Sequence, residues 1–354
     1  GATWGQSELP LATATAVVLI PTVPRSTRAD GYLRGTLDSL DQAWAARPKD
    51  SPFERLHIVV YSGTSRQRQQ RHRVFEDVAD EYSTRDAGKA RPTVHFIDSS
   101  SIPCSVHRRV ITASRNQKWW STSATGAPCA VAAPRARSPT ILPAQKQAQT
   151  MDYAMLLAAG VHLGAGPRSA ANRMWPPLVF LEDDNEVCAD IFEQLARVMQ
   201  NVPRRPFGFV KISMGGNFLF DGGAHQPRML WELTSFMLAN VATLPVDVAI
   251  HEYYRQQASM GTEAASHYAL VNSVAWHRGT DSTFGRAEWK DEKTSQGDAR
   301  LATKNSCSER RLEVQQGGNF QNCRDPAISS LVWCDADSNH MLVDATLPVQ
   351  RAII

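Results

Sequence analysis

The chain has 354 residues, of which 42% are hydrophobic and 21% are charged, so it can bury a sizeable core and is not a disordered chain. Its formal net charge of +3 is too small to predict nucleic-acid binding, and its one basic cluster, residues 65–73, is expected to be a solvated helix face. No apolar run approaches the ~18 residues that a membrane helix needs, and no signal peptide is visible.

Strands and helices alternate through the first hundred residues. The short apolar runs 15–22, 56–63 and 93–100 are expected to be buried strands. Two helices are predicted between them, because apolar residues recur there at helical spacing. Their apolar stripes are Leu33, Leu37, Leu40 and Trp44, and then Val74, Phe75, Val78 and Tyr82. This alternation predicts an α/β fold with a doubly wound, mostly parallel sheet and helices on both faces.

The pattern is interrupted at residues 101–140, which are rich in Ser, Ala, Pro and Thr and read as an irregular surface insertion. A helix is predicted at 144–160, with Met151, Met155 and Leu156 facing inward and Gly160 closing it. The apolar run Leu178 to Leu181 then predicts another buried strand.

Beyond the acids that follow that run, we expect a helix at once, and then a strand at 207–214. The glycine-bounded stretch 213–223 is expected to be a mobile loop over a bound substrate. Residues 229–255 are predicted to form two helices separated by Pro245. From about residue 286 the chain becomes polar and its periodicity fades, which predicts a polar C-terminal tail.

Three acids, Glu182, Asp183 and Asp184, follow the buried strand directly. Ligands of open parallel sheets gather at the carboxyl ends of the strands. Adjacent carboxylates repel each other unless a cation balances them, and hard oxygen ligands suit Mn²⁺ or Mg²⁺, which commonly bridge to phosphates. The acids therefore suggest a metal-bound nucleotide. The alternative is that they merely cap the helix expected after them.

Four stretches in this order carry a resemblance: residues 18–40, 145–160, 179–187 and 274–286. Together they resemble the N-acetylglucosaminyltransferase IV family, which branches N-glycans, and its relative, the GalNAc transferase of GPI side chains. The resemblance implies a GT-A glycosyltransferase domain over residues 1–286, including the insertion, with residues 287–354 as an extension packed on it. It also implies a UDP-sugar donor, Mn²⁺ (or Mg²⁺) and inversion at the anomeric carbon.

The resemblance also implies roles for single residues. Asp184 and His277 would hold the metal, while Glu182 and Asp183 would support the ribose and the metal shell. The uracil and the diphosphate would be flanked by Pro21, Thr22, Val23 and Arg25. Arg25 as a plain surface residue and His277 as a surface histidine stay open as alternatives.

An inverting transfer needs a general base that takes the proton of the acceptor hydroxyl. Asp247 follows Pro245 at an expected helix start and matches the first Asp of a family pattern, so it is the first candidate. His251 stands where that pattern has its second Asp, which leaves Glu252 and Glu232 as further candidates. An N-cap role is the alternative for Asp247.

We therefore predict transfer of an N-acetylhexosamine, most simply GlcNAc, to a glycan acceptor on a glycoprotein. The alternatives are a GPI-glycan GalNAc transferase, a catalytically silent glycan-binding module and a metal-dependent phosphohydrolase. The six cysteines favour a secretory-pathway lumen, expected to be the Golgi, with a disulfide among Cys307, Cys323 and Cys334. We expect contact with the membrane only through an anchor upstream of residue 1.

Overall fold

A computed structural model of the chain describes residues 14–23, 31–63, 72–85, 91–99, 142, 144–164, 177–201, 208–212, 217–220, 226–259, 267–270, 274–277, 320–322, 332–335 and 341–343. The helices are α1 (Tyr32–Ala46), α2 (Arg73–Ser83), α3 (Ala144–Gly164), α4 (Ile191–Asn201), α5 (Gln226–Ala239) and α6 (Val246–Ser259). The strands are β1 (Ala14–Thr22), β2 (Phe53–Ser62), β3 (Thr93–Asp98), β4 (Leu178–Phe180), β5 (Asn185–Val187), β6 (Phe209–Lys211), β7 (Phe218–Phe220), β8 (His267–Leu270), β9 (Ala275–His277), β10 (Phe320–Asn322), β11 (Val332–Asp335) and β12 (Met341–Val343).

The described strands form one ten-stranded sheet and one two-stranded ribbon. The sheet has the order β10-β11-β12-β8-β6-β7-β4-β1-β2-β3, and the ribbon pairs β5 with β9. Strand β1 is parallel to both β2 and β4, and β2 is parallel to β3. Strand β7 runs antiparallel to both of its neighbours, β4 and β6. The predicted mostly parallel α/β sheet is therefore confirmed.

Helices cover both faces of the sheet. Successive residues of β1 point to opposite sides, so the strand contributes to a core on each face. Val18 and Ile20 join a core with α1, α2 and α4. Val17 and Leu19 join a second core with α3, α5 and α6. The apolar stripes predicted for α1 and α2 are buried in the first core, which explains why these segments form amphipathic helices.

Gly160 does not close α3, since the helix continues to Gly164. The glycine instead lets the helix approach the sheet closely. A Cβ atom at position 160 would lie 2.9 Å from both methyl groups of Leu19. The prediction of a helix end at Gly160 is wrong because the glycine satisfies a packing requirement.

The predicted mobile loop at 213–223 is also wrong for its central residues, which form β7. Phe218, Leu219 and Phe220 are at most 1% exposed, and they pair on both sides inside the sheet. The helix expected after the acids is present as α4, and its apolar period is buried in the first core, but it begins only at Ile191 because β5 intervenes. A strand of three residues is too short to show a period in the sequence.

The tail is not wholly irregular, since β12 pairs in parallel with β8 and extends the sheet through β11 and β10. The predicted insertion at 101–140 lies outside the described residues. Among the helices of the described part, none combines the length and the apolar character required to cross a membrane.

Candidate active site

The acidic turn, residues 182–184, lies where parallel strands end side by side. It follows β4, which pairs with the middle of β1, and the N–H of Leu181 donates to the carbonyl of Leu19 at 3.0 Å. On the other side of β1, the N–H of Gly63 donates to the carbonyl of Thr22 at 2.7 Å, just beyond the end of β2. The carboxyl ends of β1, β2 and β4 thus form one edge, the position at which ligands of such sheets bind.

Asp183 and Asp184 are both only 4% exposed, whereas Glu182 is half-buried. The turn is fixed by polar groups of two other elements. The Thr36 hydroxyl of α1 donates to the carbonyl of Asp183 at 2.8 Å. The side-chain oxygen of Asn217, just before β7, accepts from the N–H of Glu182 at 3.0 Å, and its amide donates to the side chain of Asn185 at 3.2 Å. The backbone of the acids is therefore held from both sides.

The Asp183 carboxylate is tied to the end of β1. The Thr22 hydroxyl donates to Asp183 Oδ2 at 2.6 Å, and His72 Nε2 lies 3.0 Å from the same hydroxyl oxygen. His72 is also the N-cap of α2, where its Nδ1 accepts from the N–H of Phe75 at 3.3 Å. The expectation of a solvated helix face at 65–73 is thus wrong for His72, because the helix begins after it and its ring points to β1.

A third buried acid, Asp152 of α3, reaches the same edge. Its Oδ2 would lie 2.5 Å from a Cβ atom at Gly63, so the carboxylate rests directly on the backbone at the end of β2. Burial raises the pKa of the neighbouring Tyr61 hydroxyl, and the charges of Asp152 and Asp98 raise it further. The edge therefore concentrates negative charge in a dry environment, which favours a cationic or metal-bound ligand.

His277 is brought beside the acidic turn by the ribbon of β5 and β9. In this antiparallel pair Asn185 stands opposite His277, so the backbone of His277 neighbours the residue that follows Asp184. The side chain of His277 lies outside the described part. Among the side chains that are described, no three His, Cys, Asp or Glu residues are grouped so as to hold a metal ion by themselves.

Helix α6 begins at the same edge of the sheet. The carbonyl of Leu244, just before the helix, accepts from the Thr150 hydroxyl of α3 at 3.4 Å, two residues before Asp152. The first turn of α6, which contains Asp247, therefore begins close to the part of α3 that carries Asp152. The side chain of Asp247 lies outside the described residues.

The two other candidate bases are engaged in ion pairs on the helix surface. Hydrogen bonds from Arg255 and then from Gln256 lower the pKa of Glu252 to about 2, which makes its carboxylate a weak base. Glu232 accepts from the Arg228 guanidinium at 2.8 Å and from the Tyr253 hydroxyl at 3.2 Å.

The residues expected to flank the nucleotide are described only in part. Pro21 and Val23 are half-buried at the end of β1, and Thr22 is 2% exposed with its hydroxyl turned to Asp183. Arg25 lies outside the described residues. Of the residues expected to flank the nucleotide, Thr22 therefore makes a hydrogen bond within the protein, to Asp183.

Several residues of this edge were not predicted from the sequence as site residues. They are Thr36, Gly63, His72, Asp152 and Asn217. Only Thr36 and Asp152 carried a signal, since each stands in one of the stretches behind the family resemblance. The others act through contacts between residues far apart in the chain, which a single sequence does not display.

No family model matches the chain, and no curated protein matches it in sequence. Among solved structures it is similar to the crystal structure of mouse xyloside xylosyltransferase 1 in its apo form, with a TM-score of 0.39 and 8% sequence identity. The similarity covers 81% of this chain and 93% of that chain. The resemblance to the N-acetylglucosaminyltransferase IV family stays a prediction from the sequence.

Proposed function

We propose that the protein is a glycosyltransferase that uses a UDP-sugar and a divalent metal ion. The observation that carries this proposal is the acidic turn, in which Asp183 and Asp184 are both buried at the carboxyl edge of three parallel strands. Two adjacent buried carboxylates are costly unless a cation or a set of hydrogen bonds balances them. A metal-bound nucleotide diphosphate supplies such a cation at the position where ligands of these sheets bind.

The helix-capping alternative loses its basis, because a strand and not a helix follows the acids. Asn185 to Val187 form β5, and α4 begins seven residues after Asp184. An acid stabilises a helix only within its first turn. The burial of these carboxylates is therefore better explained by a ligand than by the next helix.

Asp184 and His277 would hold the metal ion, and the register of the β5–β9 ribbon supports this pairing. Mn²⁺ or Mg²⁺ suits a site of one or two protein ligands completed by phosphate oxygens. When bound, the ion would stabilise negative charge on the leaving diphosphate. Asp183 and Glu182 would support the metal shell and the ribose, while Pro21, Val23 and Arg25 would flank the nucleotide.

Asp247 is the proposed general base of an inverting transfer. Its helix begins at the edge that carries the acidic turn, as the Thr150–Leu244 hydrogen bond indicates. Glu252 is a weaker alternative because its pKa is held at about 2, and Glu232 is engaged by Arg228 and Tyr253. The transferred sugar would be an N-acetylhexosamine, most simply GlcNAc, and the acceptor a glycan on a glycoprotein.

A donor screen tests the function. We expect the full chain to release UDP slowly from UDP-GlcNAc in the presence of Mn²⁺, faster with glycan acceptors, and not at all in EDTA. Preference for UDP-GalNAc and a GPI-glycan acceptor would select the GPI transferase instead. Binding of glycans without UDP release would indicate a glycan-binding module, and release of phosphate from simple esters would indicate a phosphohydrolase.

A lumenal compartment of the secretory pathway, with a membrane anchor outside residues 1–354, belongs to the same proposal. Cys188 forms a disulfide bond with a partner cysteine. Mass mapping under non-reducing conditions should identify that partner and reveal the disulfide predicted among Cys307, Cys323 and Cys334. Alkylation of all three tail cysteines in the native, unreduced protein would contradict the assignment.

A further inference from the structure

We propose that His72 is a positioning residue, which acts through the Thr22 hydroxyl to orient the Asp183 carboxylate of the acidic turn. This inference rests on the proposed function, because it assigns the residues that hold the metal–nucleotide site in shape. Its basis is a chain of three side chains from three separate elements: the N-cap of α2, the end of β1 and the turn after β4.

The hydrogen atoms that link His72, Thr22 and Asp183 have one consistent arrangement. Nδ1 of His72 accepts from the N–H of Phe75, so in the neutral ring the proton is on Nε2. Nε2 then donates to the Thr22 oxygen at 3.0 Å. The single hydroxyl hydrogen of Thr22 is directed to Asp183 Oδ2 at 2.6 Å, a distance typical of a hydrogen bond to an ionised acceptor. The helix cap thus selects the His72 tautomer that can donate to Thr22.

Burial restricts the positions that the Thr22 and Asp183 side chains can adopt. Thr22 is 2% and Asp183 is 4% exposed. The backbone of Asp183 is separately fixed by the Thr36 hydroxyl at 2.8 Å. With its backbone held by α1 and one carboxylate oxygen held by β1, Asp183 presents a defined face to the edge where the ligand would bind. Residues in this position around a metal ligand set affect affinity although they do not touch the metal.

Two substitutions of His72 separate the helix cap from the contact with Thr22. In His72→Asn the side-chain oxygen still caps α2, but the amide is too short to reach Thr22. In His72→Gln the longer amide can donate to Thr22, while the cap is weakened. If His72 only caps the helix, Asn should replace it better than Gln does. If His72 positions the Thr22 hydroxyl, Gln should preserve UDP binding better than Asn does.

The test measures binding of UDP by the full chain with excess MnCl₂, by titration calorimetry. Loss of an outer-shell partner costs about 10- to 100-fold in affinity, so Thr22→Val, which keeps the shape of the side chain, should weaken binding by about that factor. Thr22→Ser should bind within about twofold of wild type, since it keeps the hydroxyl. His72→Asn should weaken binding by about 3- to 10-fold, and His72→Gln by less. The thermal midpoint of each variant controls for folding.

A double variant tests whether His72 acts through Thr22. Thr22→Val with His72→Asn should bind no more weakly than Thr22→Val alone, because the histidine then has no hydroxyl to orient. Independent, multiplying losses would overturn the proposal, as would wild-type affinity in Thr22→Val. Nitrogen-15 spectra of the His72 ring give a readout without ligand, in which Nε2 should carry the proton at neutral pH. A proton on Nδ1 would also overturn it.

Failure of the proposed function has a different signature. If the wild-type chain does not bind UDP with Mn²⁺, the nucleotide site is refuted, and the positioning role falls with it. If the wild type binds and the Thr22 and His72 variants bind equally well, only the positioning role is refuted.

Discussion

The two halves of the sheet differ in the length of their strands. Strands β1 and β2 have nine and ten residues, and they pair in register along almost their whole length. Strands β4, β6 and β7 have three residues each. The long half is a scaffold of buried apolar residues, whereas the acidic turn of the candidate site follows a strand of the short half. Irregular segments on a rigid scaffold are where binding residues concentrate.

The short half depends on polar anchors from the long half. The Thr36 and Ser39 hydroxyls of α1 bond the backbones of Asp183 and Val187, and Thr22 bonds the Asp183 side chain. A three-residue strand makes too few ladder hydrogen bonds to define its own position. The geometry of the site is therefore determined by side-chain hydrogen bonds such as these, while the stability of the fold comes from apolar burial.

The largest effect is expected from removing a proposed metal ligand of the short half. Asp184→Ala should abolish transfer and the Mn²⁺-dependent binding of UDP while leaving the scaffold folded, because the backbone anchors of the turn remain. Activity and calorimetry on the same sample measure both. Glu193→Gln on the nearby surface of α4 is the matched control and should be silent. Full activity of Asp184→Ala would remove the metal from this turn.

Removal of the proposed base should have the next largest effect. Asp247→Asn keeps the size of the side chain and its capping oxygen but removes its basicity, so kcat should fall by about 10²- to 10⁴-fold with UDP affinity unchanged. Glu252→Gln is the matched variant on the same helix and should retain activity, since Glu252 is held by Arg255. An inactive Glu252→Gln beside an active Asp247→Asn would transfer the role to Glu252.

The difference between the halves also explains what the sequence could predict. The apolar runs of β1 and β2 and the stripes of α1 and α2 are long enough to show their periods, and all four elements are present where expected. Strand β5 was missed because it is largely polar and follows the acids directly, and β7 because it lies in a stretch bounded by glycines. The equally short β4 and β6 were predicted, since each lies in an apolar run. The acids were recognised from their position directly after an apolar run, whereas His72 and Asn217 were not, since their partners Thr22 and Asn185 are distant in the chain.

A core substitution in each half tests whether β7 is as firmly packed as β1. Leu219→Ala should reduce the free energy of unfolding by about 2–5 kcal/mol, as should Leu19→Ala, because both side chains are fully buried. Urea denaturation measures the two losses. A loss below about 1 kcal/mol for Leu219→Ala alone would restore the mobile loop that the glycine-rich sequence suggested.

A smaller effect is expected at the contact of α3 with the end of β2. Gly63→Ala would bring a methyl group to 2.5 Å from Asp152 Oδ2, so the buried carboxylate must move. Overpacking of this kind costs about 1–3 kcal/mol of unfolding free energy. Gly35→Ala in α1 is the matched control: no atom lies within 4 Å of its Cβ position, and alanine should stabilise the helix by about 0.5–1 kcal/mol. Equal effects of the two substitutions would contradict the contact.

The smallest effect concerns pH and the long half of the sheet. His57 of β2 and His95 of β3 stack with their ring nitrogens 3.0 Å apart. Burial lowers the pKa of both imidazoles, and for His57 the charges of His95 and Arg55 lower the pKa further. The folded protein therefore binds protons at this pair less readily than the unfolded chain does, so stability rises with pH where the unfolded chain is protonated.

The stabilising contribution of the pair is complete above the unfolded histidine pKa of about 6.5 and is lost as the pH falls towards the lower folded-state pKa values. Urea denaturation at pH 7.5, 6.5 and 5.5 should show this decline. His57→Gln should flatten it, because one of the two titrating rings is gone. An unchanged slope in His57→Gln would assign the pH dependence to other groups.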